Sequence, residues 1–511
     1  MSAELYSHLI DSAILTVLVS LFVLWRYRVT VLAGMMRGAA DVVALPVAPS
    51  RVEHRIGPGV AALRRLERRR QGAIVLAYLL TTLACALPLA WGVALSAGGR
   101  LYASTVSLMA LVFTFACAPM IAASLALSPL RALIGLALLT LLLSGAQLLV
   151  FNVEVVARGG HLTWGDPTIF FHTAAGLWLV AFYWLATWPR KVRGVAPITF
   201  AGLLVFGFAP FLGARLSGAV AATSRLAPTL MFMLVALLVG ALAWLRLHQL
   251  ARAYERKRFS DAQLLARTWW LMLVVNVGFQ AVTYGRVPWT MLAACAVAWL
   301  AFGPVNDWMF ARLRGMAGET PPRTLLLLRV FGDAARSERL FDRLGARWRL
   351  LGPVTMIVAP DVAARTIHPG DYLRWLTGHL DESFVTSADD LRARLTGFDV
   401  VPDPDGRYRV DAFCCRDNTW QATVAELMLR ADVVVMDVRG LTRSRRGSEF
   451  ELRRLAGHYP PRQLVLVADG STERAILSEV FGNALAEARL VDVTSRRDMA
   501  AVFRTALAVI A

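Results

Sequence analysis

Between Leu9 and Phe310 the chain repeats one pattern: a long apolar stretch, then a short loop in which arginine is the usual charge. A bilayer core about 30 Å thick needs about 20 apolar residues per helix. Nine stretches qualify: Leu9–Trp25, Ala73–Ser96, Leu101–Leu125, Leu130–Val150, Ile169–Trp188, Pro197–Leu212, Pro228–Leu245, Thr268–Tyr284 and Pro288–Phe310, the first and sixth being among the shortest. The pattern predicts an α-helical polytopic membrane bundle of about nine transmembrane helices over residues 1–314. A linker, 315–323, ends in Pro321-Pro322, and a cytosolic α/β domain follows over 324–511.

A net charge of +18 would suit a nucleic-acid binder if it were spread over a soluble domain. It is not spread that way. Residues 324–511 hold 26 arginines against 25 acids, while residues 1–323 hold 28 basic residues against 11 acidic ones. The excess lies beside the apolar stretches, as expected for loops retained on the cytoplasmic side of a membrane, and it argues against a nucleic-acid partner. Ten arginines separate the first two stretches (Arg26, Arg28, Arg37, Arg51, Arg55, Arg64, Arg65, Arg68, Arg69 and Arg70), whereas the next loop has only Arg100. Heavier and lighter loops then alternate, which puts the N-terminus outside and the C-terminal domain inside. Acidic Glu4 and Asp11 lie before and at the start of the first stretch and arginines follow it, the reverse of a cleavable signal's charge order. The run Arg51–Arg70 has two readings, a determinant of topology or an amphipathic helix on anionic lipid from Val60 onward. Only two lysines, Lys191 and Lys257, occur beside abundant alanine, a composition of high-GC bacterial genes, so the expected location is a bacterial inner membrane.

After the linker the pattern changes. Thr324–Phe331, Val354–Ala359, Asp432–Asp437 and Gln463–Asp469 are short apolar runs that suit buried parallel strands, with a fifth at ARLVDV. Helix-like stretches lie between them, with Ser337, Thr419 and Ser471 or Thr472 as expected N-caps. Alternation over this length predicts one doubly wound parallel-sheet domain of Rossmann-like type. Residues 361–416 fit the alternation poorly and are expected to form an insertion at one edge. The five cysteines, including the vicinal pair Cys414-Cys415, show no metal-ligand spacing. Nothing in the placement of Cys414, His368 and Asp417 supports thiol catalysis.

Ligands of open parallel sheets bind beyond the carboxyl ends of the strands, where strand order reverses. The residues expected there are Gly332 and Asp333 after the first strand, then Asp437, Arg439 and Arg443, and then Gly447 and Ser448 at a helix start, with Glu451 about one turn in. Free N–H groups at such a start attract anions. The order FGD, ADVVVMD and GSEFEL resembles the Rossmann-like fold of nucleoside 2-deoxyribosyltransferases and TIR-type domains. Gly447, Ser448, Glu451 and Leu452 match the transferases' motif of glycine, small hydroxyl residue, two variable positions, glutamate and hydrophobic residue. The resemblance implies a nucleotide or NAD-like ligand, with Glu451 as the catalytic or ribose-binding carboxylate, Ser448 orienting it and Asp437 behind it. The plainer alternative is that Ser448 caps a helix, Glu449 and Glu451 favour its dipole, and the arginines are solvated.

Three functions follow as expectations: a membrane-bound sensor or signalling protein that binds a nucleotide-type ligand; a tethered N-glycosidase or deoxyribosyltransferase acting on NAD or nucleosides; and a transporter regulated by the domain. Polar residues deep in the apolar stretches are sparse (Gln147, His172, Asn276, Gln280, and Asn306 with Asp307 near an inner end), which disfavours transport.

Overall fold

A computed structural model describes residues 3–37, 59–96, 227–284, 288–317 and most of 320–511, with scattered helical positions between 106 and 199. The expected stretches from Leu101 to Leu212 lie largely outside the described residues. Those residues contain three helices long and apolar enough to cross a membrane, along Leu18–Met36, Val60–Gly92 and Trp289–Gly315. Nine spans are therefore not supported; the expectation reduces to an apolar helical part with at least these three.

The described helices of this part are α1 (Ala3–Met36), α2 (Val60–Ser96), α3 (Ala227–Glu255), α4 (Asp261–Tyr284) and α5 (Pro288–Ala317). The chain divides into two compact units. The first comprises 1–25, 73–313 and 366–373. Within it α4 and α5 are joined by stacked Trp270 and Phe302, 5.3 Å between ring centres, and by Gln263 donating to Asn306 at 3.0 Å. Asn306, fully buried, in turn donates to Thr81 of α2 at 3.4 Å. The buried amides are therefore used up in tying helices together, the role polar groups commonly take where apolar surfaces give little preference for a partner.

The second unit comprises 26–72, 314–365 and 374–511. Its sheet has strands β1 (Leu325–Arg329), β2 (Val354–Val358), β3 (Phe384–Val385), β4 (Val410–Cys415), β5 (Val433–Asp437), β6 (Leu464–Ala468) and β7 (Arg489–Asp492). All pairs are parallel, in the order β3-β4-β2-β1-β5-β6-β7. The helices along this part of the chain are α6 (Ala334–Trp348), α7 (Pro369–Leu376), whose residues 369–373 fall in the first unit, α8 (Ala388–Thr396), α9 (Trp420–Arg430), α10 (Arg446–His458), α11 (Arg474–Phe481) and α12 (Met499–Ile510). The doubly wound fold agrees with expectation. Residues 361–416 do more than cover an edge, because they supply β3 and β4 to the sheet itself.

Side chains alternate along the strands and so sort onto two faces. Leu326, Leu328, Val434, Met436 and Leu466 pack with α8, α9, α10 and α11, while Leu325, Leu327, Val433, Val435 and Val465 pack with α6 and α12. The second face has a further cover that the sequence did not suggest. Leu63 and Leu66, in the arginine-rich start of α2, are 3% and 8% exposed within that cluster. Glu67 beside them forms a two-pronged pair with Arg347 of α6, at 2.6 and 2.9 Å, and the Arg347 guanidinium lies 3.8 Å from the centre of the Phe503 ring. Arg70 donates to the Leu350 carbonyl at 2.7 Å. The end of α1 belongs to this unit too: Tyr27, Val31 and Met35 are buried, and Gly34 lies so close to the Phe384 ring that a Cβ there would be 2.6 Å from it. Arg26 and Arg28, both exposed, interrupt the apolar sequence of α1, which resumes after them and runs to Met36.

Candidate functional site

The chain runs from β1 outward to β2 and on to the edge strand β3, fills the gap between them with β4, then crosses back to β5 on the other side of β1. The reversal in strand order thus lies between β1 and β5, and their carboxyl ends, Arg329 and Asp437, are register partners. This is where a doubly wound sheet opens a crevice for a ligand. The helix that follows β5, α10, carries the rest of the site.

Helix α10 starts at Arg446, and its N-cap residue is Arg445, whose side chain caps nothing. Ser448 lies inside the first turn and is fully buried, so it is not the helix cap. Glu449, half-buried on the same turn, is held by Arg453 at 2.6 Å. Glu451 faces inward: it is 2% exposed, on the side of α10 that carries Leu452 and Leu455. Its Oε2 is buried with no hydrogen-bond partner among the described residues. Burial pushes its pKa up to about 8, against a smaller opposing pull from the charge of Arg329. An isolated carboxylate in such a place is so costly that the group keeps its proton instead.

Arg329 ends β1, the apolar run LLLLR, and is 6% exposed. The sequence reading passed over it in favour of the two residues beyond; the available signal was a lone basic residue closing a strand whose other members are all buried leucines. Asp437 and Arg439, expected as ligand contacts, bind each other. Arg439 Nε and Nη2 donate to the two carboxylate oxygens at 2.7 and 2.6 Å, both side chains are buried, and the pair stiffens the turn after β5. Gly440 follows with φ of 74°, a left-handed conformation suited to glycine, and its N–H donates to Ser471. Arg443 is exposed and pairs with Glu479 at 2.9 Å. Gly447 lies in the first turn of α10, half-buried. Gly332 and Asp333 lie outside the described residues.

The structure thus brings together Glu451, Ser448 and Arg329, with the Asp437–Arg439 pair beside them, and leaves Arg443 outside. Arg416 directly follows β4, and its buried Nε has no hydrogen-bond partner among the described residues. Chemically, a buried protonated carboxyl beside a guanidinium can donate or accept a hydrogen bond to a polar ligand and favours an anion nearby. Near neutral pH most of it carries its proton. Cys414 and Cys415 are buried, and burial pushes the Cys415 thiol up to about 11, which disfavours its thiolate. Among the described residues no cluster of His, Cys, Asp and Glu could hold a metal ion. Comparison with protein-family models, curated proteins and solved structures returned no match.

Proposed function

We propose that this chain is a multi-pass protein of a bacterial inner membrane, with its N-terminus outside and its α/β unit on the cytoplasmic side. That unit would bind a nucleotide-type ligand between the carboxyl ends of β1 and β5 and so serve sensing or signalling. The observation that carries this reading is Glu451, a buried carboxyl with one oxygen unpartnered, set beside Arg329 at the reversal of strand order. A buried polar atom left without a partner is uncommon and costs about 1–3 kcal/mol, which a ligand's hydrogen bond would recover. The protonated state of Glu451 favours binding over the glycosidase alternative, because attack at an anomeric carbon needs a carboxylate.

The test uses the full chain in detergent, offered NAD, ATP and deoxynucleosides, with thermal shift for binding and chromatography for products. At least one compound should stabilise the wild type, with no product, and Glu451→Gln should weaken that shift. No shift with any of them would remove the reading. Cleavage that Glu451→Gln abolishes would replace it with the glycosidase.

A further inference from the structure

The arginines at the start of α2 are not explained by that site. Helix α2 runs without interruption from Val60 to Ser96. Its buried side, with Leu63, Leu66 and Glu67, is committed to the α/β unit. On the opposite side a single stripe at spacings of three and four residues carries Arg65, Arg68, Gly72, Leu76, Leu79, Leu83 and Leu87, with Arg69 adjoining. The four leucines are 42%, 38%, 41% and 49% exposed, and the three arginines are exposed as well. Arg65, Arg68 and Arg69 have no ion-pair or hydrogen-bond partner among the described residues. Glu67, the only acid between Val60 and Gly72, is taken by Arg347.

We propose that Arg65, Arg68 and Arg69 bind the phosphates of anionic phospholipids, in the leaflet where the apolar stretch of α2 begins. At a rise of about 1.5 Å per residue the three lie roughly 6–12 Å along the axis from Ala73, the first residue of that stretch. Headgroup regions are about 5–8 Å deep on each side of the hydrocarbon core, and arginine side chains reach several ångströms along the helix to meet them. The exposed leucines of the same stripe meet acyl chains, so lipid is the occupant for which one continuous surface offers both chemistries. Guanidinium suits phosphate through paired N–H donors.

The test measures lipid retained by the full chain in detergent, by native mass spectrometry, on titration with phosphatidylglycerol or phosphatidylcholine at low and high salt. Preference for the anionic lipid should be about fivefold per arginine, the equivalent of about 1 kcal/mol each, and of the order of a hundredfold for all three at low salt. It should shrink as salt is raised. Arg65→Gln, Arg68→Gln and Arg69→Gln together should bring it near unity, while the three lysine replacements keep most of it. If the triple variant fails to insert, each single glutamine variant should still lose about fivefold. A wild type without preference, or glutamine variants that keep it, would overturn the proposal. A preference abolished equally by soluble inorganic phosphate would overturn it too, by showing a free-anion site.

Discussion

Replacing Glu451 with glutamine should stabilise the α/β unit, and the gain should grow with pH. Burial pushes this carboxyl from an ordinary value of 4.5 to about 8. Between those values the folded unit holds a proton that the unfolded chain has released, so stability falls as pH rises through the window. Below it both states are protonated and Glu451 contributes no pH dependence; above it the full penalty is present. At about 1.4 kcal/mol per unit the gap amounts to about 5 kcal/mol above pH 8 and about 3 kcal/mol at pH 7, as orders of magnitude. Glutamine keeps the shape and one oxygen acceptor but does not titrate. Hydrogen exchange of the α10 amides in the full chain, corrected for intrinsic rates, reads the opening free energy of that helix. Wild type and Glu451→Gln should agree near pH 5 and separate by several kcal/mol near pH 8. A difference that stays constant from about pH 5 to pH 9 would mean that Glu451 does not titrate in this window, and would refute the reasoning.

The Glu67–Arg347 pair should respond asymmetrically, since Glu67 is 6% exposed and Arg347 is 40% exposed. Arg347→Ala strands a buried carboxylate and should cost about 3–5 kcal/mol, whereas Glu67→Gln leaves a guanidinium half in water and should cost about 1 kcal/mol; equal losses in thermal unfolding would count against this. Leu66→Ala should cost about 2–5 kcal/mol and loosen the α6 and α12 amides more than those of α10; an unchanged exchange pattern would show that the helix start does not pack there. Gly352→Ala should abolish the protease resistance of the α/β unit, because its Cβ would lie 2.0 Å from the Arg323 carbonyl oxygen and 2.5 Å from the Arg323 nitrogen, backbone atoms that cannot swing aside as a side chain could; wild-type resistance would contradict that geometry.

The central strands were legible because a strand buried on both faces must be almost wholly apolar, and LLLLR and VVVMD are apolar up to their last residue. β4 was not, since its first three residues, Val410, Asp411 and Ala412, are only half-buried and follow a turn of aspartates and prolines that reads as loop. β3 is two residues long and carries no period at all. Ser448 looked like a cap because serine favours that position, yet α10 starts earlier, at Arg446, where no side chain caps it. Glu451 was picked out by its place after β5, but its burial was hidden: a glutamate among arginines reads as solvated until the sheet is seen behind it. Arginines masked the start of α2 in the same way, although Leu63 and Leu66 are three apart, the spacing of one helix face.

The α/β unit is therefore discontinuous in sequence, and the boundary near Pro321 does not enclose a complete domain. One face of its sheet is covered by α6, α12 and the start of α2, and a parallel sheet needs cover on both faces. Burying Leu63 and Leu66 contributes about 3–6 kcal/mol together, set against a whole-domain stability of about 5–15 kcal/mol. A fragment beginning at Gly318 lacks both leucines and leaves Arg347 without Glu67, so it should be protease-sensitive and prone to association through the bared face. Fusing residues 59–72 through a flexible linker ahead of Gly318 should restore resistance, and the same fusion carrying Leu63→Asp and Leu66→Asp should not. If the bare fragment were already as resistant as the fusion, the arginine-rich helix would be a neighbour of the domain and not a part of it.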